Sequence, residues 1–283
     1  MSAPSVQVVL LLVLATAILH AGWNAMAKAI GDRWVSSALI GTVNGVFGLG
    51  CILVFGFPAA QAWPYLVVSA LLQAAYLMLL TKTYAHGDMS RLYPIARGTS
   101  PVIVTVVAVT VLTERLSVLS WVGLAILVGG IVLLAFARGV PKADTGLLLA
   151  LATGVTISCY TLSDGVGVRI AENPGGYIGW MFALQAPVLM AVCRWRAGPT
   201  FWQRMRKRAV PGLIGGVFSV TSYGTVVWAQ SQVPLALVSG LRETSVIWAA
   251  LIGRIFLAER LVLLELVAIV AAAGGAVLLQ VGA

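Results

Sequence analysis

The sequence predicts an all-α polytopic membrane protein of ten transmembrane helices built as a five-plus-five inverted repeat, and three observations carry that prediction. The first is composition: a chain of 283 residues that is 60% hydrophobic and 10% charged has too little polar surface to cover an apolar core in water. The second is the spacing of its apolar runs. A helix needs about 20 apolar residues to cross a bilayer, and such runs occur at 6–30, 35–57, 62–84, 90–112, 118–137, 144–167, 176–194, 210–230, 234–258 and 262–281. The third is internal similarity. Arg97, Thr99 and Ser100 recur as Arg242, Thr244 and Ser245, Glu114-Arg115-Leu116 as Glu259-Arg260-Leu261, and Gly129-Gly130 as Gly274-Gly275, all at one offset of about 145 residues. A single offset means a duplication of half the chain. Five spans per half is odd, so the second copy enters the membrane the other way round. The expected units are residues 1–140 and 141–283, each of five spans.

The joining segments are short, and the longest, Arg194 to Arg208, is too small for a soluble domain. The net charge of +9 sits in these segments and at span ends, which is the pattern of cytoplasmic loops and not of a nucleic-acid surface. Arg33, Arg91, Arg138, Lys142, the cluster Arg194 to Arg208 and Arg260 fall on one side, against Arg115 and Arg169 on the other. The positive-inside rule then puts both termini outside. Trp34, Trp63, Trp121, Trp180, Trp195 and Trp202 lie near span ends, where an interfacial belt accounts for them. Cys51, Cys159 and Cys193 show no metal spacing and read as small core residues, with no disulfide expected. No removable signal peptide is expected, because no basic stretch precedes the first apolar run. No Walker A run is present, so direct ATP drive is not expected.

Polar residues within spans are costly and therefore informative. In the first span His20, Asn24 and Lys28 recur every four residues and share a face with Trp23 beside it. The third span offers Gln73, Tyr76 and Tyr84, the last of them at its end. In the fourth, Arg97 lies between Pro94 and Pro101, which read either as ordinary kinks or as breaks that free backbone groups to line a cavity; Arg97 itself either faces the interior or snorkels to the interface, as Arg254 is expected to. The sixth span has Tyr160 and Asp164, the eighth Tyr223 and Trp228, and the ninth the adjacent Arg242-Glu243, whose side chains are expected to find separate partners because helical neighbours do not face each other. Lys28 and Asp164, near span ends, read equally as interface anchors. The paired glycines are expected to be close helix contacts, and Glu114-Arg115 with Glu259-Arg260 to cap or pin matching turns.

With Leu112-Thr113-Glu114-Arg115-Leu116 and Leu257-Ala258-Glu259-Arg260-Leu261 each preceding a glycine-bearing fifth span, the chain resembles the drug/metabolite transporter superfamily, EamA type. His20-Ala21-Gly22-Trp23-Asn24-Ala25, Tyr93-Pro94-Ile95-Ala96-Arg97-Gly98 and Leu241-Arg242-Glu243-Thr244-Ser245 look like one branch of bacterial EamA permeases. The resemblance implies a helical basket in which spans 1, 3, 4, 6, 8 and 9 surround a central cavity while spans 5 and 10 support the outside, in a bacterial inner membrane. Familiar members place both termini in the cytoplasm, against the charge bias here.

The expected function is secondary transport, in the direction of export, of a small polar metabolite that is an amino acid-like zwitterion or organic anion, by alternating access with protons as the candidate coupling ion. Arg97 and Arg242 are expected to bind a carboxylate, since guanidinium pairs it bidentately. Glu243, Asp164 and His20 are the candidate proton carriers. His20, Trp23, Asn24, Tyr76, Tyr160, Tyr223 and Trp228 are expected to complete the binding wall. No cofactor, metal, nucleic acid or catalytic residue is expected, and a monomer suffices. The competing readings are a carrier for cationic or multiple drugs, and a non-transporting structural subunit. A membrane enzyme is disfavoured because neither His20 nor His86 has a catalytic partner at a suggestive spacing.

Overall fold

The structure, a computed structural model, describes residues 4–86, 89–137, 139, 144–256 and 262–283, without the side chains of 28, 29, 84, 85, 89–91 and 253–256. The motif copy Glu259-Arg260-Leu261, with Leu257 and Ala258, and the loop bases Arg138 and Lys142 therefore lie outside the described residues, as do the side chains of Lys28, Tyr84, Arg91 and Arg254. The elements run α1 (Val6–Ile30), α2 (Arg33–Phe55), a short 3₁₀ turn (Ala60–Ala62), α3 (Trp63–Ala85), α4 (Met89–Thr110), α5 (Val118–Phe136), α6 (Thr145–Ile170), α7 (Pro174–Ala197), α8 (Phe201–Lys207), α9 (Ala209–Gln230), α10 (Leu235–Arg242), α11 (Ser245–Phe256) and α12 (Leu263–Val281). Among the described residues ten segments are long and apolar enough to cross a membrane, α10 and α11 together making the ninth.

Local chemistry sets the boundaries. Asp32 accepts from the N–H groups of Trp34 and Val35 at 3.1 and 3.2 Å to start α2. Ser117 caps α5 through the N–H of Ser120, Asp144 caps α6 through that of Leu147, and Asn173 caps α7 through that of Gly176, with Pro174 filling the first helical position, where no N–H is needed. Gly56 and Gly198, at φ 76° and 77°, end α2 and α7 in a conformation that glycine enters without steric cost.

Helix packing follows a two-fold exchange of the first five spans with the last five. The helices α2 and α7 pack on each other, as do α5 and α12, and the contact of α1 with α9 is matched by that of α3 with α6. The helix α1 starts beside the end of α12, where Gln280 donates to the carbonyl of Gln7, whereas the start of α6 lies against the carbonyl of His86 at the far end of α3. The two halves thus run through the bundle in opposite senses, and both described termini emerge at one end.

Small residues make the close contacts, as membrane helices require. A Cβ built on Gly275 would lie 2.4 Å from the backbone nitrogen of Leu127, and one on Gly130 would lie 2.7 Å from that of Ala272. Gly129 and Gly274 have nothing within 4 Å of the same position. Only one glycine of each matched pair is a packing residue. Gly275→Val is therefore expected to destabilise the detergent-solubilised protein by about 1–3 kcal/mol, and Gly274→Ala to leave its melting temperature within a degree or two; thermal unfolding of the two variants checks this.

Three local expectations are corrected. The ninth span is two helices, α10 and α11, separated at Glu243 and Thr244, while the fourth is one helix through both Pro94 and Pro101. The break therefore falls in the repeat copy that has no proline inside its helices. The segment between α7 and α9 is not only a loop: it contains the short helix α8, whose Phe201 and Met205 are buried and whose Trp202, Arg206 and Lys207 are exposed.

Candidate functional site

The helices α1, α2, α3, α6, α7 and α9 leave between them a cavity of about 160 Å³. Its walls carry His20, Trp23 and Asn24 from α1, Asn44 from α2, Gln73 and Tyr76 from α3, Tyr160 from α6, Gln185 from α7, and Ser219 and Tyr223 from α9, with Arg33 and Ser36 at the rim. The rim residues sit where α1 passes into α2, beside the Arg204–Asp32 ion pair that ties α8 to this end of the bundle. The cavity is thus associated with the end bearing Arg33, Arg194, Arg196 and α8, opposite the termini.

The resemblance implied walls from spans 1, 3, 4, 6, 8 and 9. Spans 1, 3, 6 and 8 do line the cavity, but spans 2 and 7 take the places of 4 and 9. The reason is the close approach of α2 and α7: a Cβ on Gly48 would lie 2.6 Å from the carbonyl oxygen of Gly179, and one on Gly45 would lie 2.6 Å from Cβ of Ala186. That contact carries Asn44 and Gln185 inward together.

Spans 4 and 9 instead meet behind this wall in a buried charge cluster. Arg97 and Arg242 are each 2% exposed and Glu243 is fully enclosed. The Glu243 carboxylate receives Arg242 Nε at 3.3 Å and Nη2 at 3.2 Å on Oε1, and Arg97 Nε lies 2.8 Å from Oε2. That last contact is close but not aligned as a hydrogen bond, because both atoms lack a hydrogen-bond partner among the described residues. Arg97 Nη2 also donates to Ser245 Oγ at 2.9 Å and Arg242 Nη1 to Thr161 Oγ1 at 3.2 Å. Arg97 does not snorkel. Arg242 and Glu243 have the separate partners expected of them, Thr161 and Arg97, and they also bond each other, since the helix breaks immediately after Arg242. Two guanidinium groups against one carboxylate leave one unit of positive charge in the cluster.

Aromatic rings join the cavity to this cluster. Tyr160 stands 5.8 Å from Tyr76 and 6.1 Å from Tyr223, both edge-on, lines the cavity and interacts electrostatically with Arg242, Arg97 and Glu243. His20, 5.1 Å from Trp23 in a T-shaped contact, is likewise within electrostatic reach of Arg97 and Arg242. Asn24 donates to the backbone carbonyl of His20 at 2.7 Å, and both residues line the cavity. Asp164 is no interface anchor. It is fully enclosed and accepts from Tyr223 at 2.5 Å and Tyr177 at 3.1 Å. Trp228 packs against the two apolar clusters around α9 and is not among the cavity residues. Asn44, Gln185 and Ser219 were not singled out by sequence reasoning. Gln185 is a single polar residue in an apolar run, which was an available signal, whereas Asn44 has Thr42 and Ser219 has Thr221 and Ser222 close by in sequence.

At the opposite end, polar bonds join segments of the two halves. Glu114 pairs with Arg169 at 2.8 Å and accepts from the N–H groups of Leu235 and Ala236 at 2.8 and 3.3 Å, capping α10. Arg169 donates to the carbonyls of Gln230 and Val233 at 2.8 and 2.9 Å. Thr113, at φ 55°, takes the left-handed conformation that turns the chain just before Glu114.

A ten-span helical basket with a polar cavity associated with one end and polar bonds between its halves at the other is the architecture of a membrane permease. Residues 144–281, just under half of the chain, match the EamA-like transporter family, part of the drug/metabolite transporter superfamily. A solved crystal structure described only as that of a protein is 19% identical and superposes with a TM-score of 0.75, covering 99% of this chain and 100% of its own, a likeness of fold. No curated protein matches the chain.

Proposed function

We propose that the chain is a secondary transporter that exports a small zwitterion or organic anion by alternating access, with protons as the coupling ion. The observation that carries this reading is the placement of a metabolite-sized polar cavity beside a buried cluster with one excess positive charge. At about 160 Å³ the cavity lies below the roughly 300–1,000 Å³ of drug-sized sites, which supports a metabolite over a bulky drug. A solute carboxylate entering past Tyr160 and His20 competes with Glu243 for Arg97 and Arg242. The unaligned Arg97–Glu243 contact is the one it displaces most easily, and the released Glu243 carboxylate takes up the coupling proton. The basic end is read as cytoplasmic, so the structure corresponds to an inward-facing state. Residues 1–140 and 141–283 are the two units that rock against each other, with Glu114–Arg169 as the outer latch.

The test is the melting temperature of purified protein against glycine, L-alanine, L-leucine, propionate, methylphosphonate and choline. A ligand that binds only the folded form stabilises it by about 2.7 kcal/mol at a hundred times its Kd. Saturable upward shifts are expected from amino acids or carboxylates, to be lost in Arg97→Ala. A shift from choline alone, or none across the panel, would overturn the reading.

A further inference from the structure

Two buried amide oxygens in the cavity wall have no hydrogen-bond partner among the described residues: Oδ1 of Asn44 and Oε1 of Gln185. Both side chains are more than nine-tenths buried, at 6% and 8% exposure, and both residues line the cavity. The next residue on each helix marks the level at which α2 and α7 come closest, where a Cβ on Gly45 would lie 2.6 Å from Cβ of Ala186. Asn44 and Gln185 therefore face the same region from opposite halves of the chain. Asn44 already spends its Nδ2 on Ser219 Oγ at 3.3 Å, which leaves its oxygen as the group on offer. Buried polar atoms in folded proteins are normally satisfied. A pair of enclosed acceptors in a solute cavity is completed by a molecule that brings N–H donors.

We infer that Asn44 and Gln185 form the subsite for a primary ammonium group of the transported solute. This deepens the proposed function and rests on it, since that reading supplies the cavity with a solute. The terminal amide torsions are soft, so each oxygen can swing onto an ammonium lodged between α2 and α7. The remaining wall suits the same group: Trp23, Tyr76, Tyr160 and Tyr223 present rings to the cavity, and ring faces attract a cation. Tyr160 and His20, which also line the cavity, lie within electrostatic reach of the positively charged Arg97–Glu243–Arg242 cluster. A zwitterion is thereby oriented, with its ammonium on the amides and its carboxylate toward the guanidinium groups. Amide acceptors also discriminate in a way rings do not. Aromatic faces take a quaternary ammonium as readily as a primary one, whereas the two oxygens require N–H.

The experiment compares glycine, L-alanine and L-leucine with their N-trimethyl derivatives and with the corresponding acids lacking the amine, by saturation of the melting-temperature shift, in wild type, Asn44→Leu and Gln185→Met. In wild type the best amino acid is expected to bind at least about tenfold tighter than its N-trimethyl form, because the loss of two bonds to enclosed acceptors is not offset by water. In either variant that ratio is expected to fall towards one. If the trimethyl and amine-free compounds bind as well as the amino acids, the carboxylate site stands and the amide subsite is overturned. The subsite is equally overturned if the ratio is unchanged in both variants. If none of the compounds binds wild type, the zwitterion reading fails and takes the subsite with it.

Discussion

Purified Glu243→Leu protein is expected to be less stable than wild type by about 3–5 kcal/mol, the loss seen when one partner of a buried charge network is removed. Glu243 is fully enclosed and is the acceptor for both Arg97 and Arg242, themselves 2% exposed. Without it two guanidinium groups face each other in a buried interior where, among the described residues, the side chains of Ser245 and Thr161 accept from them. The combined change Arg97→Met, Arg242→Met, Glu243→Leu is expected to recover most of that stability, because apolar side chains of similar volume remove the desolvation cost together with the charges. It is expected to bind no anionic ligand. Denaturation of the solubilised proteins, read beside ligand-induced shifts, separates the two contributions. If the triple variant were as unstable as the single one, the loss would come from the helix break itself and not from uncompensated charge.

Breaking the far latch is expected to act on conformation more than on stability. In Glu114→Ala the ion pair to Arg169 and the two bonds that cap α10 at Leu235 and Ala236 all disappear. Each loss of about 1.4 kcal/mol in favour of the closed end multiplies the open population tenfold. With Cys51, Cys159 and Cys193 replaced by alanine and a probe cysteine at Ala236, which is 1% exposed, labelling by a membrane-impermeant maleimide added on the terminus side is expected to rise at least about tenfold in Glu114→Ala. Arg169→Gln is expected to do the same to a smaller degree, since Glu114 keeps its bonds to α10. Unchanged labelling in both would show that apolar packing alone closes this end.

The glycine pairs, the Arg97 and Arg242 copies and the Glu114 motif were all legible as a repeat, yet their roles diverge in three dimensions. Gly130 and Gly275 are contacts while Gly129 and Gly274 are not, because a helix presents one residue of a neighbouring pair to its partner. Arg97 lies in an unbroken helix and Arg242 at a break, although their surroundings in sequence are similar. Of the two readings of Pro94 and Pro101, kinks or breaks, the break does not hold, since α4 runs on through both, and the interruption comes instead where Arg242 and Glu243 turn onto one another.

What the sequence by itself determined was the all-helical, ten-span architecture and its inverted sense, together with the presence of His20, Asn24, Tyr76, Tyr160 and Tyr223 on inward faces. Those properties are set by run length, by the odd number of spans per half and by helical periodicity, which act within one segment or between two matched ones. Only the tertiary structure decided that spans 2 and 7 line the cavity, that Arg97, Arg242 and Glu243 gather into one buried cluster, that Trp228 packs against the apolar clusters around α9, and that Glu114 meets Arg169. These depend on which helices approach closely enough to share a polar group. That choice is made by packing of small residues such as Gly45 against Ala186 and by the need to pair buried charge across segments far apart in the chain, for which one sequence carries no local signal.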